Sequence, residues 1–251
     1  MRNGTTDGMT KLPSLTIFFP CYNEEANVAR TTANALAAAQ TYADDYEIII
    51  VNDGSRDRTG EIADRLAAEN PHVRAVHNNP NLGYGGAVAR GLREATKEWI
   101  FFTDGDGQFD MMQMDRLIGL LDRCDFAVGY RAKRADSIIR KSNAFWWGVL
   151  VRSLFGLKVR DIDCAFKLLP KSLIDRIELK SRGALISTEL LARAKFRGLR
   201  IAETPVDHFP RTAGQQTGAN WKVILRAFKE LFRLRKDIRR EGLPPPENRT
   251  P

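Results

Sequence analysis

Asp104 and Asp106 stand two residues apart at the end of an apolar run, Trp99-Ile100-Phe101-Phe102-Thr103. In extended backbone, residues i and i+2 project to the same side, so both carboxylates can face one cation. Gly105 between them lets a ligand come close to the backbone. Paired carboxylates completed by phosphate oxygens suit Mg²⁺ or Mn²⁺, which favour oxygen ligands. In isolation, Asp-Gly-Asp reads more readily as a solvated turn than as a metal site. Its context decides, because two further polar clusters also follow apolar runs. Pro20-Cys21-Tyr22-Asn23-Glu24 follows Leu15–Phe19, and Asp53-Gly54-Ser55-Arg56-Asp57 follows Glu47–Val51. Asp53 directly after its run can accept the N–H of a nucleobase edge, such as uracil N3–H or guanine N1–H. Asp57 serves equally as a ligand or as the cap of the next helix.

These clusters need a scaffold that brings them together. Five apolar runs read as strands: Leu15–Phe19 (stopped by Pro20), Glu47–Val51, Val73–Val76, Trp99–Thr103 and Phe126–Gly129. Helical patterns fill the intervals: Glu24–Gln40 behind an Asn23 cap, Thr59–Asn70, Gly85–Thr96 and Met111–Arg123. Apolar strands alternating with helices mean βαβ units and an α/β fold with a mostly parallel central sheet flanked by helices. Right-handed crossovers place every strand-to-helix loop on one edge of the sheet. Ligands of open α/β sheets bind beyond that edge, so the three clusters should meet in one crevice. Asn78, Asn81, Gly83, Gly85 and Gly86 form a turn into a helix whose spacing matches neither a Walker A loop nor a dinucleotide fingerprint. That turn reads as structural, with a secondary role in walling the crevice. Further on, Leu185–Phe196 reads as helix and Leu199–Val206 as strand. The loop Arg211–Gly218 then leads to a long amphipathic helix, Asn220–Arg240. The expected organisation is one α/β domain over residues 14–218 and a basic helix over 219–241, with disordered tails at 1–13 and 242–251.

The formal net charge of +8 favours anionic partners, whether nucleic acid, phosphorylated substrates or an acidic membrane surface. Cys21, Cys124 and Cys164 are sparse and odd in number, which argues for a reducing compartment and against a disulfide framework. No run approaches the roughly 18–20 apolar residues that span a bilayer, and the N-terminus shows no apolar signal region. The expectation is a cytoplasmic protein, peripheral at the cytoplasmic face of a membrane. In the last helix, Trp221, Ile224, Leu225, Phe228, Leu231 and Phe232 oppose Lys222, Arg226, Lys229, Arg233, Lys236 and Arg240. Such a helix either lies on an anionic bilayer or packs on the domain with a solvated basic face. Phe145–Val151, flanked by Arg140, Lys141 and Arg152, is a second interfacial candidate. Core packing and oligomer contacts are the alternatives there.

Four motifs stand in order: Pro20-Cys21-Tyr22-Asn23-Glu24, then Val51-Asn52-Asp53-Gly54-Ser55-Arg56-Asp57, then Asn81-Leu82-Gly83 with Gly91, then Asp104-Gly105-Asp106-Gly107-Gln108. Together they resemble the family 2 inverting glycosyltransferases with a GT-A fold, and within them the dolichyl- and polyprenyl-phosphate mannosyl- and glucosyltransferases. The resemblance covers residues 14–131 and continues more weakly to about 218. It implies that Pro20, Tyr22, Glu24 and Asp53 line a nucleoside pocket, with Arg131 and Arg211 also at the nucleotide-sugar. Asp104 would sit near the ribose and diphosphate, and Asp106 and Gln108 would join it in holding the metal. Asp161-Ile162-Asp163-Cys164-Ala165-Phe166-Lys167 resembles a segment beside the acceptor phosphate, which adds Asp161 and Lys167 to Asp104 and Asp106 as catalytic candidates. Lys167 replaces the usual Arg, keeping the charge but losing the bidentate fork. Arg211-Thr212-Ala213-Gly214 resembles the loop that closes over the diphosphate, although Gln216 and Thr217 stand where a Ser-Lys pair often follows.

Members with protein or sugar acceptors often carry a catalytic Glu-Asp pair. Ser187-Thr188-Glu189-Leu190 lacks it, and Glu189 either takes a related role or is an ordinary helix residue. A lipid phosphate is already anionic near neutral pH and needs no strong base. The resemblance therefore implies transfer of a hexose, mannose or glucose, from a GDP- or UDP-sugar to a polyprenyl or dolichyl phosphate at the membrane surface, with inversion. The first alternative is a family 2 enzyme with a soluble or saccharide acceptor. The second is a non-enzymatic binder of nucleic acid or an anionic surface. It leaves the acidic clusters at three strand ends unexplained, so nucleic acid is not among the expected partners. The oligomeric state is not set by the sequence.

Overall fold

A computed structural model describes residues 11–132, 148–210 and 221–241, with residues 221–229 described as backbone only. The two longest strands, β1 (Leu12–Cys21) and β2 (Ala43–Asn52), carry the driving force. Ile17, Phe18 and Phe19 of β1 and Ile48–Val51 of β2 are wholly buried, the signature of strands covered by helices on both faces. The connecting elements are α1 (Val28–Tyr42), α2 (Thr59–Glu69), β3 (Val73–His77), α3 (Gly83–Glu94) and β4 (Trp99–Thr103). Beyond them come α4 (Met114–Ile118), β5 (Phe126–Arg131), α5 (residues 148–155), β6 (Phe166–Pro170) and α6 (Lys171–Ile174). The chain continues with α7 (Ile186–Phe196), β7 (Ile201–Val206) and α8 (Trp221–Arg240).

The sheet has seven strands in the order β3-β2-β1-β4-β6-β5-β7. Strands β1 to β4 pair in parallel, β5 and β7 pair in parallel, and β6 runs antiparallel to both β4 and β5. The chain moves outward from β1 to β3 and then returns to β4 on the other side of β1. Strand order therefore reverses between β1 and β4, and such switch points are where open α/β sheets form their crevice. Because β6 is antiparallel, its beginning lies at the edge where β1 and β4 end. That reversal delivers Asp161–Lys167 to the same edge.

Several expected boundaries move, each for a local reason. Pro20 lies inside β1, opposite Val51 of β2. The β4 pairing stops at Phe18, so a residue without an N–H is tolerated there as on a sheet edge. The first helix starts at Val28 rather than at Glu24, because Glu24 O takes the N–H groups of both Asn27 and Val28 in a turn. Asn23 adopts φ 56°, and its Oδ1 accepts from Arg56 N at 2.8 Å instead of capping that helix. The helix expected over Met111–Arg123 is a 3-10 turn, Met111–Gln113, followed by the short α4. Strand β6 was not anticipated from its sequence.

Helix α8 answers one open question in part. Leu231, Leu234 and Ile238 are buried in the core, while Phe232, Arg233, Lys236, Arg239 and Arg240 are exposed. The second half of the helix thus packs on the domain and keeps a basic face outside. The side chains of Trp221, Ile224, Leu225 and Phe228 lie outside the described residues, as do Arg140, Lys141 and Phe145–Trp147. Among the described residues no helix is long and apolar enough to cross a membrane.

Candidate active site

The loops after β1, β2 and β4 enclose a cavity of about 810 Å³. Its lining includes Pro20, Tyr22, Glu24, Asp53, Asn81, Tyr84, Asp104 and Asp106. A Cβ on Gly105 would sit 2.6 Å from Pro20 O and 2.7 Å from Cys21 Sγ. Only glycine lets the β4 loop close against the β1 loop in this way.

Asp53 is 3% exposed, and its Oδ1 accepts from Asn78 Nδ2 at 2.8 Å and Leu82 N at 2.9 Å. Its backbone carbonyl accepts from Asn81 Nδ2 at 2.6 Å, and its N–H donates to Cys21 O. Asp53 therefore ties the β2 loop to the β1 loop through its backbone N–H and to the β3 loop through Oδ1 and its carbonyl, and Oδ2 takes no part in these bonds. Asp57 accepts from Thr59 N and Oγ1 and from Glu25 N. Burial raises the Asp57 carboxyl, but the Thr59 and Glu25 bonds outweigh it and hold it below the ordinary value. Of its two possible roles, the structure displays that of a cap and clamp.

Asp104 is the opposite case. Burial, and then the charge of Asp106, push its carboxyl up to about 7. It accepts one hydrogen bond, 3.0 Å from Tyr84 Oη. Burial and the Asp104 charge in turn hold the Tyr84 phenol well above its usual value, which keeps it a donor. Asp106 Oδ1 accepts from Gln108 N at 3.1 Å. The Gln108 amide nitrogen donates to Phe209 O at 2.8 Å, tying the segment after β7 to this loop.

No group of three or more His, Cys, Asp or Glu side chains among the described residues converges as a complete metal site. Asp104 and Asp106 nevertheless fit a divalent cation chemically. They are hard oxygen donors, and their mutual repulsion is the kind that a bound cation relieves. A diphosphate would complete the shell.

On the far side of Asp104, Arg131 forms a fork to Asp161, with Nε–Oδ2 2.7 Å and Nη2–Oδ1 2.9 Å. Burial works against the Arg131 charge, but the Asp161 bonds raise its pKa more. Lys167 is wholly buried. Its ammonium donates to Ile162 O at 3.2 Å, to Cys164 O and to Ser187 Oγ at 3.5 Å. Burial lowers its pKa. Glu189 is also wholly buried and accepts from Lys180 N, Ser181 N and Arg193 Nε.

The family model for glycosyl transferase family 2 matches residues 16–177. The chain belongs to that family. Glycosyltransferase AglD of Haloferax volcanii is 32% identical over 209 residues, which are 78% of this chain and 33% of the relative. This family 2 chain therefore spans a third of that protein's length. Dodecaprenyl-phosphate galacturonate synthase of Rhizobium johnstonii is 28% identical over 94% of this chain and 71% of its own. Undecaprenyl-phosphate mannosyltransferase of Micrococcus luteus is 28% identical over 78% and 84%. Among solved structures, glucosyl-3-phosphoglycerate synthase of Mycobacterium tuberculosis with UDP superposes at a TM-score of 0.64. It is 16% identical over 89% of this chain and 80% of that one. The fold is GT-A, an α/β sheet flanked by helices.

The fold gathers Pro20, Tyr22, Glu24, Asp53, Asp104 and Asp106 of this family 2 chain around one cavity. Gln108 adjoins Asp106. Arg131 and Asp161 are not among the cavity's lining residues, but Arg131 is near enough for its charge to act on Asp104. Lys167 is likewise outside the lining, and its charge also acts on Asp104. Its amine is held inside the protein, where it fixes the 162–164 turn from beneath. Glu189 is neither an exposed base nor an ordinary helix residue, since its carboxylate braces the backbone of Lys180 and Ser181. Arg211 lies outside the described residues. Sequence reasoning missed Tyr84, a cavity-lining aromatic between Gly83 and Gly85. Its place in a turn already read as a wall was the available signal.

Proposed function

We propose that this chain transfers a hexose, mannose or glucose, from a GDP- or UDP-sugar to a polyprenyl or dolichyl phosphate at a membrane surface, with inversion. The carrying observation is that the Asp104/Asp106 pair and the Asp53 carboxylate share one cavity at the β1/β4 switch point. Asp53 Oδ2 accepts a base N–H, while Pro20, Tyr22 and Glu24 wall the nucleoside. Asp104 and Asp106, with Gln108 beside them, hold Mg²⁺ or Mn²⁺, whose chemistry there is neutralisation of charge on the leaving diphosphate. An oxygen of the acceptor phosphate forms the new bond to sugar C1. The bond from C1 to the diphosphate oxygen breaks on the opposite face, and its electron pair leaves with the nucleoside diphosphate.

A phosphate anion requires no proton removal, which agrees with Glu189 being buried and committed to backbone N–H groups. The Arg131–Asp161 fork sets one positive side chain next to the acceptor path without leaving a buried charge unpaired. Relatives whose names specify polyprenyl-phosphate sugar transfer support this acceptor class. The exposed Phe232, Arg233, Lys236, Arg239 and Arg240 on α8 support a peripheral seat on an anionic cytoplasmic leaflet, since each Lys or Arg near such a surface contributes about 1 kcal/mol.

The test is a panel of GDP- and UDP-sugars given to purified protein with a polyprenyl phosphate in vesicles. The expected product is a lipid-linked sugar that forms with one donor and requires Mg²⁺ or Mn²⁺. Transfer to soluble saccharides with none to the lipid phosphate would overturn the acceptor assignment. Full activity in excess EDTA would overturn the metal assignment.

A further inference from the structure

We propose that Tyr84 is a positioning residue for Asp104, its hydroxyl fixing one carboxylate oxygen so that the other stays turned towards the leaving diphosphate and its cation. This rests on the functional reading above and assigns a role that none of the four sequence motifs carries.

Asp104 and Asp106 carry like charges at the end of β4, and two such carboxylates tend to swing apart. Among the described residues, the Tyr84 hydroxyl gives Asp104 the one side-chain hydrogen bond it receives, at 3.0 Å. Without that donor the Asp104 side chain is free to rotate away from Asp106. Preorganised orientation of the groups that meet developing charge is a principal source of rate enhancement, so the rotamer of Asp104 matters to the reaction as well as to binding.

The placement of Tyr84 is itself enforced. Gly83 N donates to Asn81 Oδ1 at 2.9 Å, and Gly85 N donates to Arg182 O at 2.9 Å. A Cβ on Gly85 would meet Arg182 C and Gly183 O at 2.6 Å, so the start of α3 is pressed directly on the 181–183 backbone. That backbone is held in turn by Glu189, which accepts from Lys180 N and Ser181 N and is paired with Arg193. Tyr84 is therefore carried by a helix end braced from the far side by a buried ion pair. Its side chain remains 39% exposed within the cavity lining, so it can bond Asp104 while a ligand is present.

The experiment compares wild type, Tyr84→Phe and Tyr84→Leu by steady-state kinetics and by calorimetry. UDP and GDP are titrated with and without Mn²⁺. Tyr84→Phe keeps the ring and removes only the hydroxyl. It is expected to lower kcat about 10- to 100-fold, as loss of an orienting hydrogen bond does, with the donor KM changed less than about threefold. Mn²⁺-dependent nucleotide affinity should fall about 10-fold, metal-free affinity should not change, and the melting temperature should be that of wild type. Tyr84→Leu should show the same kcat loss. If Tyr84→Phe matches wild type in kcat and Mn²⁺-dependent affinity while wild type is active, the positioning role is overturned and the functional reading stands. A loss in Tyr84→Leu alone assigns the effect to the ring and overturns the role of the hydroxyl. Wild type that binds neither nucleotide with Mn²⁺ overturns the functional reading and this inference with it.

Discussion

The β2 and β4 loops start from the same two residues, Asp-Gly, and end in opposite electrostatic states. At the β2 loop, Asp53 Oδ1 is bonded by Asn78 and Leu82 and Asp57 by Thr59 and Glu25, so both carboxylates are built into the fold. At the β4 loop, Asp104 has one donor and a like-charged neighbour, and its carboxyl is raised to about 7. A carboxylate saturated by backbone donors acts as a scaffold that can offer its remaining oxygen to a ligand. A pair of like charges, one of them raised by burial and by its neighbour, carries a stability cost that a cation would relieve.

The largest expected effect breaks the β4 side of that comparison. Asp106→Asn should cut turnover by about 10²-fold or more while the melting temperature changes little, because the asparagine amide oxygen can still accept the bond from Gln108 N. Turnover and thermal denaturation on the same preparation check this, and near-normal turnover would remove Asp106 from the metal site.

On the β2 side the balance should invert. Asp53→Ala should weaken nucleotide binding and also destabilise the fold. The bonds to Asn78 and Leu82 add a stability cost of about 2–4 kcal/mol, since a buried amide and a backbone N–H lose their acceptor. Asp53→Asn keeps an oxygen that can accept those bonds and should cost less, yet it should still impair base recognition. Urea denaturation beside UDP and GDP calorimetry separates the two, and unchanged affinity for both nucleotides would leave Asp53 as scaffold alone.

A smaller effect sharpens the contrast in pH. A carboxyl raised from 3.8 to about 7 in the folded state binds a proton there that the unfolded chain has already lost. The metal-free protein should therefore lose stability as pH rises from about 4 to about 7 and change no further above it. Asp104→Asn should remove that slope and stabilise the metal-free protein above pH 7 by up to about 4 kcal/mol, although it abolishes activity. Melting temperatures across pH with chelator present decide this, and parallel curves for the two proteins would show that Asp104 is not strained.

The smallest expected effect concerns α8. Phe232→Ser lies on the exposed face and should change stability by less than about 0.5 kcal/mol while weakening adsorption to anionic vesicles at low salt. Leu234→Ala, on the buried face, should instead destabilise by about 2–3 kcal/mol. Co-sedimentation with vesicles at two salt concentrations reads the first and denaturation the second. Adsorption unchanged by Phe232→Ser would assign the contact to charge alone.

Strand ends and the residues that follow them were legible in the sequence because they are local. A buried parallel strand reads as an unbroken apolar run, and its end is marked where Asp, Gly or Pro interrupts the run, as at Thr103-Asp104 and Asn52-Asp53-Gly54. Chain order and crossover handedness then placed the clusters on one edge. Strand β6 was illegible because Phe166–Pro170 is short, carries Lys167 and ends in proline, and only its two antiparallel neighbours make it a strand. The tertiary structure alone decided which groups satisfy which charges. Tyr84 reaches Asp104 across 20 residues, Asn78 reaches Asp53 across 25, and Gln108 reaches Phe209 across 101. A hydrogen bond is set by distance in space, and the spacing of residue types along a chain encodes such distances only within a helix, a strand or a turn.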